Sequence, residues 1–321
     1  MKKSIRTLNY LKSQDGYVSG EKLAESLQIS RTSIWKQINE LRGLGYEIEA
    51  SSRNGYRLVK VPDRLYPWEV EEGLKTQCIG RKYIYEEDVS STMDELWRRA
   101  LDDPAEGTVV LAESQKKGRG RLRRSWVTPR YKGLYFSCLL VPQLPLSVVS
   151  QLTLMVGLAC VKALENCADL PFRLKWPNDI YVNEKKLCGI LTELNVQPDG
   201  MNFVVVGIGL NVNASDTDLL PIATSLCNET GITYDRVKVL HALLASLEDY
   251  YFSFCKKGFQ SMRDQWNALS LLKGKEVTVE MLNRIFSGVA GDVEDDGALL
   301  VETDNGLERV IAGDVFKCKS S

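Results

Sequence analysis

The chain has 321 residues, 44% of them hydrophobic, enough for two or three domains with sizeable cores. Its formal net charge is −1, and it carries eight cysteines at irregular spacings without a C-x-x-C pair, and a single histidine, His241. That inventory excludes zinc held by clustered Cys or His, leaves any Ser-His or Cys-His catalysis to His241 alone, and fits the reduced structural thiols of a cytoplasmic protein.

Charge is spread unevenly. Residues 1–60 hold 11 Lys and Arg against 6 Asp and Glu, a local +5, and the remainder holds 30 against 36. A separate basic module therefore leads the chain. Its opening, MKKSIRTLNYLKSQ, has positive charge with no apolar run behind it, so no secretory signal is expected. Ile5, Leu8 and Leu11 form a first helical stripe, Ser19 caps a second helix with Leu23 and Leu27 inward, and Ser30 caps a third with Ile34, Ile38 and Leu41 inward. This leaves Arg31, Thr32, Ser33, Trp35, Lys36 and Gln37, behind Ser30, on the outer face where a recognition helix meets DNA. Alternation then sets in, Tyr46 and Ile48 followed by Tyr56 and Leu58, around SSRNG, where Asn54-Gly55 signals a hairpin turn and Arg53 joins the DNA-binding set. Three helices and a hairpin over 1–61 read as a winged helix-turn-helix; a small helical protein-interaction module is the plainer alternative.

VPDRLYP reads as a linker. From residue 67 the pattern predicts a strand over 83–86, a helix over 92–101, strands over 108–114 and 133–141, and a helix over 147–166. Short strands follow around 173–182, 188–195 and 202–209, and then helices over 221–230, 236–256 and 258–270. The fold class is mixed α/β (α+β), multidomain. The most apolar window, VVSQLTLMVGLACV, is interrupted by Ser, Gln and Thr and falls short of the roughly 20 apolar residues of a membrane span; it reads as a buried helix. After Gly274 short alternating runs predict a small closing β-barrel, which divides the body into 67–271 and 272–321.

Three motifs carry chemistry. GRGRLRRSW, 118–126, sets four arginines within six residues, with glycines that permit close backbone approach and forked donors for carboxylate or phosphate; the plain reading is a solvated basic loop. KWPNDIYVNEKKLCGILTEL places Lys175, Asn178, Asp179 and Lys186 beside strand ends, where lysines can hold phosphates and Asp179 can hold Mg²⁺ or orient a lysine. VVVGIGLNVN has two glycines of a dinucleotide turn, but Val212 stands where the third belongs, leaving a glycine turn that presents Asn211.

In this order behind a winged helix, SST (90–92), QKKGRGRLRRSW, KWPND, KLCGILTE and GIGLNVN resemble the bifunctional biotin protein ligases that also repress the biotin operon. The resemblance spans essentially the whole chain. It implies a central mixed-sheet ligase domain of the class II synthetase-like biotin/lipoyl type and an SH3-like barrel at the C-terminus. Ser91, Thr92, Met93, Gln115, Gly118, Gly120 and Gly189 would surround biotin, with Arg119, Arg121 and Lys186 at its carboxylate and the activating phosphate as the catalytic cations. Arg124, Trp126, Asn178, Asp179 and Asn211 would meet the nucleotide, Trp126 by stacking on adenine, and Asp179 would approach Lys186 or Mg²⁺.

The implied chemistry is attack of the biotin carboxylate on the α-phosphorus of MgATP with loss of pyrophosphate. A lysine amine of a biotin carboxyl carrier protein then attacks the mixed anhydride and releases AMP. Neither step needs an enzyme nucleophile, which suits a chain with one histidine. Operator DNA and a homodimer formed with adenylate bound complete the expected partners. Two departures from the family pattern stand out: Met93 replaces a usual asparagine, and Arg123 stands where glycine is common, reducing backbone freedom in a loop expected to fold over the adenylate. A ligand-sensing repressor without ligase chemistry and a lipoate ligase are the competing readings.

Overall fold

The computed structural model of the chain describes residues 2–145, 148–196 and 203–317, and it divides into two compact units, Met1–Arg64 and Leu65–Ser321. Residue 147 of the expected helix, residue 202 of the expected strand and Cys318 lie outside the described residues.

The first unit contains α1 (Lys2–Lys12), α2 (Gly20–Leu27), α3 (Arg31–Gly43) and the antiparallel pair β1 (Glu47–Ser51) and β2 (Gly55–Lys60). Ser19 and Ser30 cap α2 and α3 as expected, their hydroxyls accepting from Lys22 N and Ser33 N at 3.1 and 3.2 Å. Leu8, Leu11, Leu23, Leu27, Ile34, Ile38 and Leu41 bury their side chains together. Gly55 (φ 95) opens β2 opposite Ser51, and a Cβ there would sit 2.0 Å from Val18 O, so the wing closes against the segment before α2 only with glycine. One residue departs from expectation. Gln37 is buried and accepts a 2.6 Å hydrogen bond from Thr7 Oγ1, because positions 34, 37, 38 and 41 share one helical face and Thr7 supplies the polar partner.

The second unit begins with α4 (Pro67–Glu71), β3 (Tyr83–Val89), α5 (Thr92–Asp102), β4 (Val109–Gln115), β5 (Gly133–Leu140) and α6 (Val149–Glu165). Then come β6 (Arg173–Lys175), β7 (Asp179–Val182), β8 (Lys185–Asn195), β9 (Phe203–Asn211), α7 (Leu226–Thr230), α8 (Arg236–Lys257) and α9 (Arg263–Ala268). Among the described residues these strands form one seven-stranded sheet in the order β3-β4-β5-β9-β8-β7-β6, parallel only between β3 and β4.

Alternation along the strands assigns the two faces. Val109, Leu111, Phe136, Cys138, Val204, Val206 and Ile208 join the large core with α6 and α8. Val110, Leu139, Phe203 and Val205 face α5 through Met93, Leu96 and Ala100. The α5 cover ends at its own N-terminus, and the sheet face beyond it is left for a ligand.

A second sheet of β10 (Glu276–Glu280), β11 (Ile285–Val293), β12 (Leu299–Thr303), β13 (Gly306–Val310) and β14 (Asp314–Lys317) runs antiparallel in the order β13-β12-β11-β10-β14 and forms the SH3-like part. Its core residues Val277, Val279, Val301 and Val315 are continuous with the large core, and Trp176 Nε1 donates to Gly297 O at 3.1 Å across the join.

Two helix expectations shorten. Over 221–230 only Leu226–Thr230 is helical, since Ile222 O and Thr224 N hydrogen-bond the backbone of Lys186 as an added extended segment. Over 258–270 a 3₁₀ turn, Phe259–Ser261, precedes α9. The segment GIGLNVN is no turn: β9 runs straight through both glycines to Asn211. His241 bonds Val70 O at 2.7 Å, and burial pushes the Cys160 thiol up to about 12, so both serve as packed structural groups.

A fully buried ion pair ties this unit together. Glu113 of β4 meets Arg236, the first residue of α8, at 2.6 Å; Arg236 also donates to Gly133 O at 3.0 Å, and Glu113 accepts from Leu65 N at 3.1 Å. Removing one member strands the other charge. Glu113→Ala is expected to destabilise the second unit by about 3–5 kcal/mol, read as a lower denaturant midpoint for that unit; a change below about 1 kcal/mol would show that the pair is dispensable.

Candidate active site

Gly189 of β8 and Gly209 of β9 are direct cross-strand partners, which creates a bare patch on the open face of the sheet. A Cβ on Gly209 would stand 2.5 Å from Trp126 Nε1, and one on Gly189 would stand 3.1 Å from Trp126 Cζ3 and 3.3 Å from Lys186 Nζ. The indole therefore lies on the backbone itself. Its Nε1 is buried and makes no hydrogen bond among the described residues. Lys186 Nζ stands 5.2 Å from the indole centre and 2.7 Å from Asp179 Oδ1, so Asp179 orients the lysine. One row along, Gly207 leaves space for Met93, whose Sδ would be 2.7 Å from any Cβ there. Met93 thus packs on the sheet as a core residue.

The arginine loop connects β4 to β5 and is shaped by its own backbone. Trp126 N donates to Gly118 O at 2.9 Å and Gly120 N to Arg124 O at 2.7 Å, around a 3₁₀ turn over Arg121–Arg123. The left-handed position in this turn falls on Leu122 (φ 51) and not on Arg123, so the expected loss of freedom at Arg123 is not where the backbone demands it.

Each loop arginine whose side chain is described has a carboxylate. Arg119 grips Glu193 with two bonds, 3.2 and 2.9 Å, and also pairs with Asp94. Arg121 donates to Gly313 O at 2.9 Å and stands 3.4 Å from Asp314 Oδ1, while Arg124 reaches Asp314 Oδ2 at 2.7 Å. Lys175 completes the cationic wall, its pKa lowered by burial and partly restored by Asp179.

The cavity lining also includes neutral polar side chains. Gln115 Oε1 accepts from Thr92 N at 2.8 Å and from Thr92 Oγ1 at 3.2 Å, Thr92 shares a 2.8 Å bond with Ser137, and Ser91 is buried beside Arg119. Such a cavity fits a molecule with an uncharged hydrogen-bonding head and an anionic tail.

Comparison with known proteins agrees with this geometry. Residues 85–213 match the model of the biotin/lipoate A/B protein ligase family, 4–57 an HTH domain and 273–317 the biotin protein ligase C-terminal domain. The chain is 39% identical over 303 residues to the bifunctional ligase/repressor BirA of Bacillus subtilis, which covers 93% of each protein. The chain belongs to the biotin/lipoate A/B protein ligase family. The biotin–[acetyl-CoA-carboxylase] ligase of Mycobacterium tuberculosis is 33% identical over 79% of this chain and 97% of its own length. A biotin protein ligase from Aquifex aeolicus, solved in complex with biotin and ATP, superposes with a TM-score of 0.65 and 33% identity over 75% of this chain and all of that one.

Within this ligase-family site, Ser91, Thr92, Met93, Gln115, Arg119, Gly120, Arg121, Arg124, Trp126, Asn178, Asp179, Lys186 and Gly189 line one cavity, as the motifs suggested. Two expected residues do not. Gly118 sits at the neck of the loop, where a Cβ would meet Trp126 O at 2.7 Å, and Asn211 is buried with its amide donating to Thr224 O at 2.9 Å. Asn178 lines the cavity, but its amide is engaged by Ile190 O at 2.8 Å.

Lys175, read from KWPND as a lysine able to hold phosphate, also lines the cavity. Asp94, Glu193, Asp314 and Phe316 escaped the sequence reading; the carboxylates carry no signal, being scattered acids from α5, β8 and β14. No cluster of three or more metal-ligating side chains occurs among the described residues, and Asp179 is already paired with Lys186. In the first unit Ser30, Arg31, Thr32, Trp35, Lys36 and Arg53 are exposed and Ser33 is half-buried, sharing a 2.9 Å bond with Ser30, while Gln37 belongs to the core. No helix among the described residues is long and apolar enough to cross a membrane.

Proposed function

We propose that the chain is an ATP-dependent biotin protein ligase that also acts, through its winged helix, as a repressor of biotin genes with biotinyl-AMP as corepressor. The observation that carries the ligase reading is the convergence of Arg119, Arg121, Arg124, Lys175 and Lys186 on a cavity that also presents Ser91, Thr92 and Gln115. Biotin's ring system meets the neutral polar groups and its carboxylate lies toward Arg119 and Lys186. There it attacks the α-phosphorus of MgATP, with pyrophosphate leaving along Arg121 and Arg124. In the second step the lysine amine of a biotin carboxyl carrier protein attacks the acyl carbon and AMP departs.

The protein's contribution is charge neutralisation and alignment, worth several kcal/mol of barrier in such sites. Lys186, held by Asp179, places a compact cation beside the reacting oxygens. Trp126 offers its unbonded Nε1 and a flat face for stacking on adenine. Mg²⁺ would come with the nucleotide and neutralise phosphate charge, and Asp179 is a cavity carboxylate that could help hold it. The reaction needs ATP and the carrier protein, which fits a cytoplasmic enzyme.

Biotin-dependent exchange of labelled pyrophosphate into ATP by the purified protein with Mg²⁺ tests the first step. The cavity predicts exchange with biotin and at least about tenfold less at equal concentrations of lipoate, whose head lacks the hydrogen-bonding groups that Thr92 and Gln115 would meet. The family model includes lipoate ligases, so equal or greater exchange with lipoate would reverse the substrate assignment. No exchange with either acid would favour a ligand sensor.

Repression follows from the polar outer face of α3, where Arg31, Thr32, Trp35 and Lys36 can enter a major groove. One such helix binds weakly, so two copies on a two-fold operator are required, formed when adenylate is bound. Sedimentation should show a dimer with biotin and MgATP and a monomer with neither; one unchanged association state would contradict ligand-coupled dimerisation.

A further inference from the structure

Four neighbouring side chains on the first turns of α3 have nothing to hold. Arg31, Thr32, Trp35 and Lys36 are exposed, and none makes a hydrogen bond, ion pair or ring contact among the described residues. Spaced i, i+1, i+4 and i+5, they share one side of the helix. By contrast Arg42 donates to Ile48 O at 3.0 and 2.6 Å, Arg57 holds Glu49 at 2.8 Å, and Gln37 accepts from Thr7. Trp35 is the anomaly of the stripe. It is 57% exposed, although an indole is ordinarily well covered in a folded protein.

An exposed apolar side chain can belong to a protein-docking patch or to a nucleic-acid contact, and its surroundings separate the two. A docking patch is contiguous. The other large apolar side chains exposed in this unit among the described residues, Tyr17, Val59 and Val61, lie outside α3, and the Arg57 guanidinium stands 4.9 Å over the Tyr17 ring. Trp35 stands instead in a stripe with Arg31 and Lys36, in a module with a local charge of +5. Those cations attract phosphates, which gain little from a hydrocarbon face. In the major groove the base edge that does gain is thymine, through its C5 methyl. Adenine loses its usual bidentate partner here, because the Gln37 amide is withdrawn into the core.

We propose that Trp35 is a specificity-determining residue of α3: its indole packs on a thymine methyl in the major groove, so that one thymine selects each half-site while Arg31 and Lys36 hold the backbone around it. This rests on the DNA-binding reading of the first unit, and adds to it a base preference and the side chain that makes it. The contact is apolar and carries no charge. It therefore changes which duplex is bound and not how binding responds to salt, whereas the cations of the stripe and Arg53 at the hairpin tip do the reverse.

The test takes full-length protein with biotin and MgATP and selects duplexes from a random-sequence DNA library. The enriched duplex is then remade with deoxyuridine in place of each thymine in turn, which removes only the methyl. Affinities are measured over a range of salt for wild type, Trp35→Ala, Trp35→Phe and Lys36→Ala. In wild type, one thymine position in each half-site is expected to lose about fourfold in affinity with its methyl, as burial of one such group implies. The loss is expected to persist in Trp35→Phe and to vanish in Trp35→Ala, whose salt slope stays that of wild type. Lys36→Ala is expected to keep the methyl loss and reduce the slope by about one. Methyl losses that survive in Trp35→Ala, wild-type binding indifferent to every methyl, or a Trp35→Ala protein that binds all duplexes more weakly by the same factor would each overturn the proposal. If wild type enriched no duplex at all, the DNA-binding reading would fall and the proposal with it.

Discussion

Positive charge gathered into one cavity has to be balanced before the cavity can exist. Five cations line this one, and a pair of like charges about 4 Å apart at a protein surface costs roughly 4 kcal/mol. The balance comes from four carboxylates on four different elements: Asp94 on α5, Asp179 on β7, Glu193 on β8 and Asp314 on β14. That requirement explains why a loop between β4 and β5 depends on strands from the far side of the sheet and from the second sheet. It also leaves the cations poised, because guanidiniums that already hold one anion keep further donors for another.

The floor of the site imposes an equally local constraint. Paired Gly189 and Gly209 remove side chains from two neighbouring strands at one level, while Gly207 receives Met93 where α5 begins. A single face of β9 therefore changes from helix-covered core to open seat within a few residues. The change requires no bend in the strand, which is why residues 204–211 remain regular. Beneath it the buried Glu113–Arg236 pair links β4, which leads into the arginine loop, to α8 and the start of the unit.

Much of this was legible in the sequence because the local signals agree. The serine caps of α2 and α3 and the apolar run that becomes β9 are short-range rules that the tertiary structure leaves intact. Most residues the motifs named line one cavity, since strand ends bring KWPND and the arginine loop to one side. Other features depended on partners that spacing does not encode. Gln37 reads as a DNA-facing residue until Thr7 is seen beside it, and Asn211 reads as exposed if its glycines are taken for a turn. Asp314 is one acid among many until β14 pairs with β10 and brings it under two arginines.

The whole proposed reaction ends in a product that can be weighed. Purified chain, biotin, MgATP and an isolated biotin carboxyl carrier domain can be combined and the carrier examined by mass spectrometry. A ligase of this design adds one biotinyl group, on one lysine, and adds none when that lysine is replaced by arginine or when ATP is withheld. A carrier that stays unmodified beside folded protein with an intact cavity would contradict ligation and leave the chain a ligand-binding regulator.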